Sequence, residues 1–288
     1  MNPLDLVVSR LNLNHGKYCI FAGAGISVCS GVPLAVTDLP GLPSVVTCIR
    51  RDFYASLKRS PLAGDALLRW YSDQKLLQEA ETLYSDALQL IGDTPRSRQA
   101  YLRKFFTGKT PGVCHMAVGA LVEHGHVQIL FTTNFDSLLE DAIRGNGKCD
   151  PPKVASHADS VRDVILNEPG PKVIKLHGDY LFSDIRNTDK ETRSLTDNMR
   201  EKLRRILGEF GLIVVGYSGN DNSVMAILEQ MAFDGGYFPF GLYWLHLGHS
   251  IPRPRVLQFL KDVGGCPLAI DSAEAFLDAL VHRVRGSA

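Results

Sequence analysis

Five apolar runs of strand length, separated by segments with helical periodicity, constrain the fold of this chain more than any other feature. The runs begin at Tyr18, Val127, Lys172, Leu212 and Leu242. Near-continuous apolar strands are typical of a parallel sheet that is buried on both faces. Apolar residues make up 45% of the 288 residues, which is enough for a sizeable core. We therefore predict an α/β fold in which helices cover both faces of a parallel sheet.

The segments between these runs have the apolar spacing of amphipathic helices. Between the first two runs, from about 50 to 108, apolar residues recur at spacings of three and four, which predicts a helical insertion. We expect a single Rossmann-like domain over residues 1–288 that carries this insertion. The other predicted helices lie at 2–13, 113–124, 137–143, 195–209, 223–232, 255–262 and 272–284.

Charge and cysteine content narrow the classes of function. Lys plus Arg balance Asp plus Glu, so the zero net charge does not favour a protein that coats nucleic acid, and we predict no nucleic-acid partner. The six cysteines include no C-x-x-C pair, so we predict no metal site and expect a reduced, cytoplasmic setting. The sequence has no run of about 18 apolar residues and no signal-peptide pattern, so no membrane partner is expected.

Polar or glycine-rich residues directly follow four of the apolar runs. Because the carboxyl ends of parallel strands meet at one edge of a sheet, where ligands bind in open α/β folds, we expect the four segments to line one crevice. They are Gly23-Ala24-Gly25-Ile26-Ser27, Asn134-Phe135-Asp136, His177-Gly178-Asp179 and Gly216-Tyr217-Ser218-Gly219-Asn220-Asp221.

The glycine turn after the first run has two open interpretations. Glycine lets the backbone approach a pyrophosphate, and the following amides can point at it. The pattern is not a full G-x-G-x-x-G, because Val28 occupies the sixth position and the next glycine is Gly31. No acidic residue follows about 20 positions later at a strand end. A purely structural strand-to-helix turn is the alternative.

The polar residues of the other segments also have two interpretations each. His177 could act as a general base near neutral pH, or it could be structural. Asn134 could position a water or hold a carboxamide, while Asn134 or Asp136 could instead cap the next helix. Asp221 or Asn220 could cap the helix at 223–232. Ser218 could bind a ligand or close a turn.

Taken together, these motifs resemble those of the sirtuin family. Order and spacing agree over about residues 17–285, nearly the whole chain. The matching segments are Gly23–Ser27 with Gly31-Val32-Pro33, Pro111 with His115, Thr132–Asp136, Leu176–Gly178, and Gly216 with Ser218.

The chain also departs from the sirtuin pattern. Sirtuin deacetylases carry four zinc cysteines between the histidine and the Gly-x-Ser strand, but this chain has no cysteine between Cys149 and Cys266. The family's Pro-Asp-Phe-Arg is replaced by Pro33-Leu34-Ala35-Val36. In contrast, Thr132–Glu140 and Val215–Asp221 resemble the bacterial sirtuin-like NAD hydrolases, which deplete NAD in anti-phage defence.

The resemblance implies that NAD is the substrate and that no metal is needed. The implied catalytic residues are Asn134, which orients a water, and His177, which accepts its proton. The glycine turn would cradle the pyrophosphate, and Asp136 would lie by the nicotinamide ribose. The implied NAD-binding residues are Ala22, Gly23, Ala24, Gly25, Ser27, Asp136, Gly216, Ser218, Ile270 and Asp271.

The expected reaction is hydrolysis of NAD to nicotinamide and ADP-ribose. Three alternatives stay open: an NAD-dependent protein deacylase or ADP-ribosyl transferase, an NAD- or ADP-ribose-binding sensor or scaffold without turnover, and a nucleoside-modifying enzyme on the same sheet. Because free NAD hydrolysis is toxic, the resemblance also implies a gated effector. We expect a homo-oligomer, together with an activating protein partner or a further C-terminal region.

Overall fold

The five apolar runs form the centre of a parallel sheet in the computed structural model of the chain. The structure describes residues 2–59, 83–92, 94–145, 147, 149–157, 159–177 and 197–285. The strands are β1 (Tyr18–Ala22), β2 (Val127–Thr132), β3 (Lys153–Ala155), β4 (Lys172–Lys175), β5 (Gly211–Val215), β6 (Leu242–Leu247) and β7 (Cys266–Ile270). Their order is β3-β4-β2-β1-β5-β6-β7, and every neighbouring pair is parallel. The predicted α/β class is confirmed.

Helices cover both faces of this sheet. Alternate residues of β1 point to opposite faces, so Ile20 and Phe21 belong to different cores. The helices are α1 (Pro3–Leu13), α2 (Val45–Arg59), α3 (Leu83–Gln89), α4 (Pro95–Phe106), α5 (Val113–Glu123), α6 (Leu138–Gly145), α7 (Asp197–Glu209), α8 (Asn222–Asp234), α9 (Pro254–Val263) and α10 (Ala273–Arg285). The core that contains Ile20 includes residues of α1, α5, α6 and α10. The core that contains Phe21 includes residues of α7, α8 and α9.

Sequence reasoning missed the two edge strands, β3 and β7. An edge strand has one neighbour instead of two, so it does not need a continuous apolar run. In β7, Leu268 and Ile270 are buried while Pro267 and Ala269 between them are exposed. β3 is only three residues long and begins at the exposed Lys153.

Helices α2, α3 and α4 lie between β1 and β2 and share a third core, which includes Val46, Leu88 and Leu102. The first of them begins at Val45, earlier than the expected start near 50, because Ser44 Oγ accepts a hydrogen bond from the Thr47 amide at 3.2 Å. Residues 60–82 of the predicted insertion lie outside the described residues. Within the described ranges, no helix is long and apolar enough to cross a membrane.

Glycine is required where the end of β1 meets the end of β5. The Gly23 and Gly25 amides donate to the carbonyl oxygens of Val215 and Gly216, both at 2.9 Å. A Cβ on Gly23 would lie 2.4 Å from Gly216 O, and one on Gly25 would lie 2.8 Å from Gly216 Cα. Gly216 has a φ of +67°, in the left-handed region that favours glycine. Backbone packing therefore demands glycine at these positions, whether or not a ligand binds.

A buried ion pair fixes the loop that follows β2. Lys175 Nζ lies 3.0 Å from Glu140 Oε1, and it donates to the carbonyl oxygens of Phe135 at 3.3 Å and Asp136 at 2.5 Å. The side chains of Lys175 and Glu140 are 0% and 3% exposed. A charge buried this deeply needs both an opposite charge and hydrogen bonds. The pair thus holds the Phe135–Asp136 backbone in place.

We expect Lys175→Met to lower the free energy of unfolding by about 3–5 kcal/mol, because it removes the buried cation that faces Glu140. Lys153→Met is the matched control, since Lys153 forms an exposed pair with Glu168. Loss of an exposed pair costs at most about 1 kcal/mol. Urea unfolding monitored by circular dichroism measures both variants, and equal losses would contradict the role given to Lys175.

Gly23→Ala should destabilise the fold by about 1–3 kcal/mol or more, because its methyl group overlaps Gly216 and Tyr217. Gly145→Ala is the control, because a Cβ there meets nothing within 4 Å. Alanine in a helix is favoured over glycine by about 1 kcal/mol, so the control should be neutral or stabilising. Differential scanning calorimetry compares the two melting temperatures. A parental Tm for Gly23→Ala would refute the packing argument.

Candidate functional site

The described parts of the four polar or glycine-rich segments lie at one edge of the sheet, as predicted. Gly178 and Asp179 of the third segment lie outside the described residues. The four segments follow β1, β2, β4 and β5, which are neighbours in the order β4-β2-β1-β5. Their carboxyl ends therefore open onto one crevice. We refer to the described part of this region as the crevice site; it comprises Gly23–Ser27, Asn134–Asp136, His177 and Gly216–Asp221.

Ser27 is the centre of a buried hydrogen-bond network. Its Oγ donates to Asp136 Oδ2 at 2.9 Å and accepts from Asn134 Nδ2 at 3.0 Å. Asn134 Nδ2 also donates to the Gly23 carbonyl oxygen at 3.2 Å. The turn after β1 and the turn after β2 are thus joined through side chains that are buried.

The network fixes the orientation of the Asn134 amide. A backbone carbonyl oxygen only accepts hydrogen bonds, so the NH₂ group must be the end that faces Gly23. The opposite atom, Oδ1, is buried and has no hydrogen-bond partner among the described residues. An unpaired buried acceptor costs free energy. A water or a ligand hydroxyl that donates to Oδ1 would remove this cost.

The structure separates the roles that the sequence left open for Asn134 and Asp136. Asp136 Oδ1 accepts from the Leu138 amide at 3.1 Å, so Asp136 caps α6 while its other oxygen binds Ser27. The side-chain hydrogen bonds of Asn134 go to Gly23 and Ser27 instead. Helix capping therefore accounts for one of the two side-chain hydrogen bonds of Asp136 and for none of those made by Asn134.

His115 belongs to this network, although the sequence-based list of site residues omits it. It is fully buried, its Nδ1 accepts from the Gly112 amide at 3.3 Å, and its Nε2 lies 3.2 Å from Ser27 Oγ. A hydroxyl offers one donor and two acceptor positions. Bonds to Asp136, Asn134 and His115 use all three, so Ser27 orients its neighbours. The match of His115 to the family motif was the signal that could have identified it.

His177 and Asp221 follow strands on opposite sides of the crevice, but their side chains are in contact. His177 follows β4 and Asp221 follows β5, with β2 and β1 between them. His177 Nε2 is in close contact with Asp221 Oδ2, and the two side chains are 6% and 17% exposed. Asp221 Oδ1 accepts from the amides of Ser223 at 2.9 Å and Val224 at 3.3 Å. The predicted cap of α8 is confirmed, and the contact with His177 adds a second role.

Opposing effects determine the charge of Asp221. Burial raises the pKa of its carboxyl group, whereas the contact with His177 and the hydrogen bonds from Ser223 and Val224 lower it. The net result is a pKa below the ordinary range of aspartate. Asp221 therefore carries its negative charge at neutral pH, directly beside the imidazole of His177.

The remaining candidate residues lie outside this network. Ala22 ends β1 and is buried, while Ala24 and Ser218 are exposed at the crevice. Ile270 and Asp271 lie at the end of β7, three strands from β1. At about 4.8 Å per strand, that is roughly 14 Å away along the same edge. Within the described residues, no group of three or more His, Cys, Asp or Glu side chains could hold a metal ion.

Known proteins are similar to this chain in sequence over one segment and in fold over nearly its whole length. Residues 128–267 match the family model of the SIR2-like domain. A structure from work on the mechanism and regulation of Sir2 enzymes is 14% identical with a TM-score of 0.54, and the match covers 100% of this chain and 98% of that one. No curated protein matches the chain in sequence.

Two further solved structures have the same fold. A Sir2 homologue in complex with NAD is 17% identical with a TM-score of 0.52, covering 98% of this chain and 94% of that one. A mutant Sir2 homologue in complex with ADP-ribose is 16% identical with a TM-score of 0.53, covering 98% of this chain and 97% of that one. Residues 128–267 are therefore similar to the SIR2-like domain, and the chain has the fold of the Sir2 enzymes.

Proposed function

We propose that the chain hydrolyses NAD to nicotinamide and ADP-ribose at the crevice site. The observation that carries the proposal is Asn134 Oδ1, which is buried at the carboxyl ends of the central strands without a hydrogen-bond partner among the described residues and would accept a hydrogen bond from a water. The SIR2-like match and the complexes of structurally similar Sir2 homologues with NAD and with ADP-ribose support the choice of substrate.

The dinucleotide would lie along the carboxyl edge of the sheet. The turn at Gly23–Gly25 would face the pyrophosphate, with the exposed Ala24 as the residue most accessible to it. Gly216 and Ser218 would contact the adenosine half, and Ile270 with Asp271 would lie at its far end. Because the Ser27 hydroxyl has its bonding capacity filled within the protein, Ser27 would act by holding Asn134 and Asp136.

The chemistry needs a placed water and a proton acceptor. The bond between C1′ of the nicotinamide ribose and the nicotinamide nitrogen breaks, its electron pair leaves with neutral nicotinamide, and the water oxygen bonds to C1′. Asn134 Oδ1 accepts a hydrogen bond from this water, and His177 takes its proton. Positioning supplies much of the rate in such a step, because it replaces a random encounter with a fixed one.

Cysteine content favours hydrolysis over protein deacylation. The sirtuin zinc module requires four cysteines, and the chain has none between Cys149 and Cys266. Water is then the acceptor that the site itself can hold. We further propose, from the resemblance to the anti-phage branch, that the chain is a defence effector whose activity is gated by homo-oligomerisation and an activating protein partner.

Product analysis decides among the candidate activities. The purified chain is incubated with NAD alone, at several protein concentrations and with candidate activators, and the products are identified by mass spectrometry. Nicotinamide and ADP-ribose in equal amounts, without any peptide, support the hydrolase. Turnover only with an acyl-peptide or an acceptor protein supports a deacylase or transferase. Tight NAD binding without turnover under every condition supports a sensor.

Asn134→Ala should lower the rate of NAD loss by at least about 10²-fold, because the water loses its fixed position. The measurement is the steady-state rate by chromatography, with circular dichroism to verify the fold. Asn12→Ala is the matched control, since Asn12 lies on the exposed face of α1. A variant that converts NAD at the parental rate would remove Asn134 from the mechanism.

His177→Ala should lower kcat by at least about 10²-fold, which is the usual contribution of a general base. His282→Ala, on the exposed face of α10, is the control for loss of an imidazole. Both kcat and KM are measured by following nicotinamide release. A smaller drop in kcat accompanied by a higher KM would assign His177 to orienting the ribose.

A further inference from the structure

We propose that Asp221 is a positioning residue that fixes both the tautomer and the orientation of His177. The effect of Asp221 on the reaction rate rests on the proposed NAD hydrolysis, whereas its effect on the tautomer of His177 does not. The evidence is the close contact between His177 Nε2 and Asp221 Oδ2, formed between residues that follow strands on opposite sides of β1 and β2.

Asp221 is itself held rigidly, which a positioning group requires. Its Oδ1 accepts from the Ser223 amide at 2.9 Å, from Ser223 Oγ at 2.8 Å and from the Val224 amide at 3.3 Å. These bonds come from the first turn of α8, where backbone amides lack partners within the helix. One carboxylate oxygen is thus tied to the helix, and the other is directed at His177.

The carboxylate also selects the proton position on the imidazole. A neutral imidazole has one N–H donor and one acceptor nitrogen, and an ionised carboxylate only accepts hydrogen bonds. The proton is therefore placed on Nε2, beside Asp221, and Nδ1 keeps the lone pair. A general base needs that lone pair, so the nitrogen that takes the proton from water is Nδ1.

The contact limits the motion of His177 as well. The residue follows β4, whose last hydrogen bond, from the Leu176 amide to Thr132 O at 2.8 Å, anchors the backbone just before it. Asp221 holds the far end of the ring. The backbone of His177 is thus anchored beside β4, and its ring is held by a residue that follows β5.

Asp221→Asn tests the proposal with little change in shape. Asparagine caps helices about as well as aspartate, so α8 keeps its cap. The amide NH₂ would face Nε2 and donate to it, which moves the imidazole proton to Nδ1. Two-bond ¹H–¹⁵N NMR of histidine-labelled protein distinguishes the tautomers, with the His177 signal assigned by its loss in His177→Ala. We expect Nε2–H in the parent and Nδ1–H in Asp221→Asn.

Measurement of kcat and KM distinguishes a positioning role of Asp221 from a role in folding. In Asp221→Asn, kcat for NAD should fall by about 10²-fold or more while KM changes little, because the base loses its lone pair but the binding surface remains. Asp278→Asn is the matched control, since Asp278 and His282 form an exposed aspartate–histidine pair on α10. The control should keep the parental kcat.

Each outcome supports or overturns the role of Asp221. The Nδ1–H tautomer in the parent, or an unchanged Nε2–H tautomer in Asp221→Asn, overturns it whether or not NAD is hydrolysed. A parental or higher kcat in Asp221→Asn also overturns it, and a higher kcat would mean that the contact restrains His177. A parent without NAD turnover refutes the proposed hydrolase, while the NMR result still decides the tautomer.

Discussion

Direct backbone packing between the ends of β1 and β5 sets the geometry on which the site depends. Gly23 and Gly25 donate to Val215 and Gly216 at 2.9 Å, an approach that a side chain at either glycine would prevent. The same approach leaves the Gly23 carbonyl oxygen directed at Asn134, which binds it through Nδ2. The orientation of the Asn134 amide, and hence of its unpaired oxygen, follows from this contact.

Side chains at the site differ in whether their hydrogen-bonding positions are already filled within the protein. Ser27 Oγ uses its one donor and two acceptor positions within the protein. Lys175 is likewise committed to Glu140 and to the backbone at 135–136. Asn134 Oδ1, in contrast, has no partner among the described residues. In the proposed reaction, Asn134 Oδ1 is therefore the atom of the Ser27 network that remains able to bind a water.

The central strands and the polar residues after them could be predicted from local sequence patterns. Contacts that depend on the order of the strands could not. The central strands are buried on both faces, so their apolar runs and the polar residues after them were visible, including Asn134 and His177. The edge strands β3 and β7 lack such runs. The contact of Ser27 with His115 joins positions 88 residues apart, and His177 meets Asp221 across two intervening strands, so neither pairing has a local signature.

The separate packing of helices α2, α3 and α4 affects which parts of the sequence can change during evolution. Their apolar residues form a core of their own, separate from the two cores that flank the sheet. A substitution inside that small core changes its local free energy and leaves the packing around β1 and β2 intact. Because these helices do not share the cores that flank the strands of the crevice, their exposed surfaces can change sequence with little effect on the crevice.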